Sequence, residues 1–108
     1  MPRHTLVVFT NAVPGRDGEF NSWYDEVHLG DVLGVDGFVA AQRFKLAKRQ
    51  IMEDRSYEYL ALYEIESENL DKALDALSAA ANTMVISDAM GKDSKALAFS
   101  AITERRTS

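Results

Sequence analysis

The sequence predicts one α+β domain in which a four-stranded antiparallel sheet carries two helices on one face. Three observations lead there. Runs with strand character and runs with helical spacing follow one another in the order β-α-β-β-α-β. The length, 108 residues, suits one domain and leaves little room for a second. The first and last strands are apolar on both sides, so the uncovered face of the sheet needs a partner.

The elements follow from local pattern. Thr5 to Phe9 is β-branched and aromatic, a strand, and it ends at Asn11 with Pro14 and Gly15 marking a turn. From Arg16 to His28 the spacing becomes helical, with Phe20, Trp23 and Val27 on one stripe. Leu29 falls opposite that stripe, which favours a break there, and Gly30, Gly34 and Gly37 interrupt regularity. Phe38 to Leu46 alternates, with Phe38, Ala40, Gln42, Phe44 and Leu46 against Val39, Ala41, Arg43 and Lys45. The charge-rich stretch Ala47 to Arg55 forms an exposed hairpin connection. Tyr57 to Ile65 puts Tyr57, Tyr59, Ala61, Tyr63 and Ile65 on one face. Ser67 is an N-cap candidate for a helix built on Leu70, Ala73, Leu74, Leu77 and Ala81. A turn around Gly91 leads to a last strand, Lys95 to Ile102, and residues 103–108 read as a frayed tail of the single 1–108 domain.

This order is the split arrangement of ferredoxin-like domains. Leu6 and Val8 oppose Val7 and Phe9, and Leu97 and Phe99 oppose Ala98 and Ile102. The simplest cover for the second face is the same face of another copy, a homodimer.

Composition removes several function classes. A net charge of −5 opposes nonspecific attraction to nucleic acid or anionic membranes. Lys45, Lys48 and Arg49 are the densest basic group, and they read as a solvated turn. With no cysteine there is no disulfide, thiolate site or cysteine nucleophile. Leu6 to Phe9 is far too short to span a bilayer and no cleavable signal pattern surrounds it, so the expected location is cytoplasmic. No glycine-rich phosphate loop occurs; Gly15 and Gly18 read as a turn into a helix. The serines are scattered without a nucleophile-elbow pattern, and His4 reads as an exposed strand residue.

One polar cluster remains, Tyr24 to Asp31. At about 100° per residue, Tyr24 lies about 40° and His28 about 80° from Phe20, so the two stack four residues apart on the flank of the buried stripe. Histidine moves protons near neutral pH, and a neighbouring phenol can orient it or donate to it. A structural role stands beside this one. A histidine in the last turn of a helix meets the negative end of its dipole, and a boundary tyrosine buries its ring while its hydroxyl stays wet. Asn11 and Arg43 could point polar groups into the same crevice, although Asn11 could cap the turn and Arg43 could pair with Glu58 or Glu64. Asp25, His28 and Asp31 have a loose metal-ligand spacing but lack a second histidine, so no metal is expected.

Several stretches together resemble a known family: Phe9-Thr10-Asn11, Val13-Pro14-Gly15-Arg16, Glu19 through Leu29 with Phe20-Asn21-Ser22-Trp23-Tyr24-Asp25-Glu26-Val27-His28, and Gly37-Phe38. They are similar to the dimeric α+β barrel superfamily, and within it to small EthD-like proteins. The match in pattern covers the first 45 residues or so; the second half agrees in element order. The resemblance implies a homodimer whose sheets pack face to face, and a pocket between each sheet and its helices. It further implies a range of activities: cofactor-independent oxygenation, cyclisation, isomerisation or haem degradation. The family's helix-one histidine maps onto His28, with Tyr24 and Trp23 beside it. Prolines common just after the histidine-leucine pair and before the Gly-Phe are replaced here by Gly30 and Asp36.

The expectation is therefore an enzyme acting without a cofactor on a small apolar or aromatic metabolite. His28 and Tyr24 would be catalytic, and Asn11, Trp23, Arg43 and Asp31 would contact substrate. A noncatalytic small-molecule binder or accessory subunit using the same pocket, a scaffold dimer whose polar helix flank contacts another protein, and a haem-binding variant through His28 stand as alternatives.

Overall fold

The computed structural model describes residues 2–108. Strand β1 (Arg3–Thr10) leads into helix α1 (Asp17–Trp23), a π-helical stretch (Tyr24–His28) and helix α2 (Leu29–Leu33). Strands β2 (Phe38–Lys45) and β3 (Tyr59–Glu66), helix α3 (Leu70–Ala81) and strand β4 (Lys95–Ser100) complete the chain. The sheet order is β2-β3-β1-β4, with every neighbouring pair antiparallel. This is the predicted ferredoxin-like architecture. No helix among the described residues is long and apolar enough to cross a membrane.

The helices cover the face formed by Tyr59, Ala61, Tyr63 and Ile65 of β3 and by Leu6, Val8 and Thr10 of β1. Phe20, Tyr24, Tyr63 and Ile65 are its most buried large side chains. Removing that much apolar surface from water is the main force holding helix to sheet. The other face carries Val7, Phe9, Phe44, Leu60, Leu62, Leu97 and Phe99, as pairings such as Val7 with Leu62 and Leu97 require. All six residues of β4 are exposed, so neither of its faces is packed.

Five expectations need correction. The first helix does not break at Leu29. It continues to Leu33 through the π-helical stretch, which takes more residues per turn and shifts the buried stripe. Tyr24 and Val32 are therefore buried, and Val27, assigned to the stripe from α-helical spacing, is 41% exposed. In β2 a bulge between Phe38 and Ala40 puts Phe38 on the same side as Ala41 and Arg43, not Ala40. Tyr57 lies before β3 and leaves the Tyr59 face, its ring 5.6 Å from that of Phe9. The α3 N-cap is Asn69, whose side chain accepts from the Lys72 amide at 3.1 Å, whereas the Ser67 hydroxyl is engaged with the Asn69 backbone. Lastly, β4 stops at Ser100, leaving Ile102 outside it and 96% exposed.

Asn11 ties the loops at one end of the sheet. Its side chain donates to the Ser56 carbonyl and accepts from the Glu58 amide, both at 2.8 Å, and its own carbonyl accepts from the Gly91 amide at 2.7 Å. Gly91 must be glycine here, because a Cβ would stand 2.7 Å from the Asn11 carbonyl oxygen. Gly91→Ala is expected to lower stability by about 1–3 kcal/mol, as overpacking does, read as a fall in the urea midpoint with an unchanged slope.

Candidate functional site

The π-helical stretch builds the cluster. In an α-helix residues five apart point about 140° apart, but the wider turn brings His28 back over Trp23. The two rings stack, with centroids 4.7 Å apart and planes 24° apart. Tyr24 meets the His28 ring edge to face at 4.9 Å. Histidine is thus held between two aromatic rings. The Trp23 indole is itself fixed by donating to the Val85 carbonyl at 2.9 Å.

His28 Nδ1 is buried and has no hydrogen-bond partner. Burial lowers the pKa of this imidazole, and the Asp31 carboxylate raises it by less. The ring is therefore neutral at neutral pH and can accept a proton. The Tyr24 hydroxyl does not serve it; that hydroxyl is hydrogen-bonded to Tyr63 at 3.0 Å, deep in the core. Burial raises the pKa of both phenols, Tyr63 very strongly, so both remain protonated.

Arg43 lies on the helix side of β2. Its guanidinium carbon stands 4.4 Å from the Tyr24 ring centre and 5.4 Å from those of Phe20 and Tyr59. It donates to Asp25 at 2.8 Å and to Asn21 at 2.9 Å, while Nε is buried without a partner. Asn21 donates to the Tyr59 hydroxyl at 3.3 Å, and that hydroxyl donates to Asp17 at 2.7 Å. Arg43 therefore pairs with the helix and not with Glu58 or Glu64, the strand partners considered for it; Lys45 pairs with Glu58.

The structure thus brings Trp23, Tyr24, Arg43 and His28 together. Asn11 stands apart, occupied with Ser56, Glu58 and Gly91. Asp31 is exposed and lines a shallow groove between α2 and α3 with Val27, Val35, Ala80 and Val85. Asp25 is turned to Arg43 and does not join His28 and Asp31; among the described residues no group of three or more His, Cys, Asp or Glu is placed to hold a metal ion. Sequence reasoning missed Asn21, Tyr59 and Tyr63. A run of alternating tyrosines on a buried strand reads as packing, and only the fold shows that their hydroxyls meet helix-one groups.

No family model matches the sequence, and no curated protein is similar to it. Solved structures are. An ethyl tert-butyl ether d (EthD) family protein from Bacillus halodurans C-125 superposes with a TM-score of 0.60 at 13% identity, over 91% of this chain and 96% of that one. A variant of MhuD with two manganese protoporphyrin IX molecules bound per active site gives 0.67 at 16%, over 96% and 99%. A dimeric ferredoxin-like protein of unknown function from Jannaschia sp. CCS1 gives 0.61 at 10%, over 90% and 97%. The chain therefore has a ferredoxin-like fold.

Two outcomes test the cluster. Tyr63→Phe leaves the Tyr24 hydroxyl buried and unpaired, and should cost about 1–3 kcal/mol in a denaturant titration. For His28, the unfolded chain holds more protons than the folded one between the lowered folded pKa and the unfolded value of 6.5. Its contribution to stability is complete above pH 6.5 and is lost as pH falls through that window. Thermal melts of wild type and His28→Gln between about pH 8 and about pH 5 should diverge, with the variant losing less.

Proposed function

We propose that the protein is a homodimer that binds a small apolar or aromatic molecule beside His28 and uses that imidazole as a general acid/base. One observation carries the reading: a π-helical turn clasps a neutral histidine between Trp23 and Tyr24 and leaves its buried Nδ1 without a partner. A π-helical turn interrupts regular helix hydrogen bonding, and such turns concentrate at functional sites. A buried polar atom with no partner costs free energy, which a ligand group could recover.

Apolar and aromatic chemistry fits because the walls around the imidazole are rings. Arg43, caged against Tyr24, Tyr59 and Phe20 and paired with Asp25 and Asn21, keeps a buried Nε–H without a partner, which would favour a carbonyl or carboxylate on the ligand. The step assigned to His28 is removal of a proton from an acidic C–H or O–H of the bound molecule and its return at another atom, as an isomerisation or cyclisation requires. The second copy is expected on the open face, whose apolar side chains have no cover within one chain.

Because Trp23 stacks on His28, its emission reports on the site. Titration with a panel of small aromatic carboxylates and ketones should shift Trp23 fluorescence, with product seen by mass spectrometry. His28→Ala should keep the dimer and lower turnover by about a hundredfold or more. Binding without conversion would make the protein a noncatalytic carrier. A Soret shift on adding haem, abolished in His28→Ala, would move the reading to haem binding. Leu97→Asp, on the open face of β4, should give monomers in sedimentation; a surviving dimer would place the interface elsewhere.

A further inference from the structure

A second pair of side chains, far from helix one, has the arrangement of a nucleophile and its base. His4 and Ser100 face each other across β1 and β4, with His4 Nδ1 2.8 Å from Ser100 Oγ. His4 Nε2 lies 3.2 Å from the Ser67 carbonyl oxygen. A carbonyl can only accept, so Nε2 carries the ring proton and Nδ1 offers its lone pair to the Ser100 hydroxyl. Nucleophile, base and a third group that orients the base stand in hydrogen-bond sequence, the arrangement that activates a serine. His4 is half-buried, not exposed as its place in the sequence implied, while Ser100 is exposed. Both line a cleft of about 800 Å3 bordered by Arg3, Arg105 and the exposed Ile102.

We propose that Ser100, activated by His4, is an acyl-accepting nucleophile, and that the cleft takes small carboxylic esters of apolar or aryl alcohols. Ser100 Oγ forms a bond to the ester carbonyl carbon as its proton passes to His4 Nδ1. The negative charge that develops on the carbonyl oxygen would be met by Arg105 at the cleft border, since Arg3 is paired with Glu66 at 3.6 Å and Glu64 and Glu104 also line the cleft. The bond to the alcohol oxygen then breaks, and that oxygen takes the proton from His4. Water, with His4 again as base, attacks the acyl-serine and releases the acid. No other reactant is needed. Ile102 supplies apolar surface for the acyl or aryl part. His4 and Ser100 lie on the helix side of the sheet, whereas Thr5, Glu64 and Phe99 at the edge of the cleft belong to the open face; none of the cleft's residues is part of the His28 cluster.

The test uses p-nitrophenyl acetate and an arylsulfonyl fluoride on the full chain, with nitrophenolate release, intact mass and peptide mapping as readouts. The acyl and sulfonyl groups are expected on Ser100. Ser100→Ala should abolish that label and Ser100→Cys restore it, with circular dichroism melts confirming that both variants fold. His4→Gln should slow labelling by about a hundredfold or more. Absence of label at Ser100, label spread over lysines and tyrosines, or a rate unchanged in His4→Gln would each overturn the proposal and leave a cross-strand hydrogen bond.

Discussion

The wide turn from Tyr24 to His28 is the constraint on which the helix side of the molecule depends. A regular α-helix from Asp17 to Leu33 would send Leu29 away from the sheet and bury Val27. The wider turn reverses this: Val27 faces water, and Tyr24 and Val32 complete the core. Moving the stripe by one residue also fixes the neighbours of His28. Packing and a prospective proton acceptor therefore come from the same local departure from helix geometry, and neither could be altered without the other.

The second organising element is electrostatic. Arg43 is nearly buried, with its side chain 11% exposed, and a charge in that position needs compensation. Asp25 and Asn21 supply hydrogen bonds from the helix, and the faces of Tyr24, Tyr59 and Phe20 supply their negative quadrupoles. The guanidinium thus links β2 to α1 by directional contacts where the surrounding apolar packing is not directional. Such contacts fix the lateral position of the helix on the sheet, which area burial alone leaves loose.

The fold was legible in the sequence because its signals are repeated and local. Alternation in Tyr59 to Ile65, helical spacing from Leu70 to Ala81 and apolar residues on both faces of β1 each point the same way. What escaped were single-residue shifts. A bulge at Phe38 and a π-turn at Tyr24 each change which side later residues face, and one extra residue leaves almost no trace in composition. The geometry of the helix-one cluster is only partly legible in the sequence for the same reason. Tyr24 and His28 sit four apart, a spacing that predicts their ring contact, but the Trp23 stack needs the π-turn, and the Tyr24 hydroxyl bonds Tyr63, 39 residues away in the chain, and not His28. Asn11 was grouped with the cluster because it ends a strand beside it, while its bonds run to three loop positions.

The central place of β1 between β3 and β4 bears on how the molecule assembles. β1 pairs on one side with residues near position 60 and on the other with residues near position 100, so its outer ladder closes loops of up to 96 residues. Contacts of such high sequence separation slow folding, because chain entropy is spent before the contacts form. During synthesis the β1 edge that β4 will occupy, with Val7 and Phe9 beside it, stays open until the chain has been made as far as Ser100. That interval is when an apolar edge can pair with the wrong strand. Early hairpin formation by β2 and β3, whose contacts are closer in sequence, would give β1 one partner to hold it meanwhile.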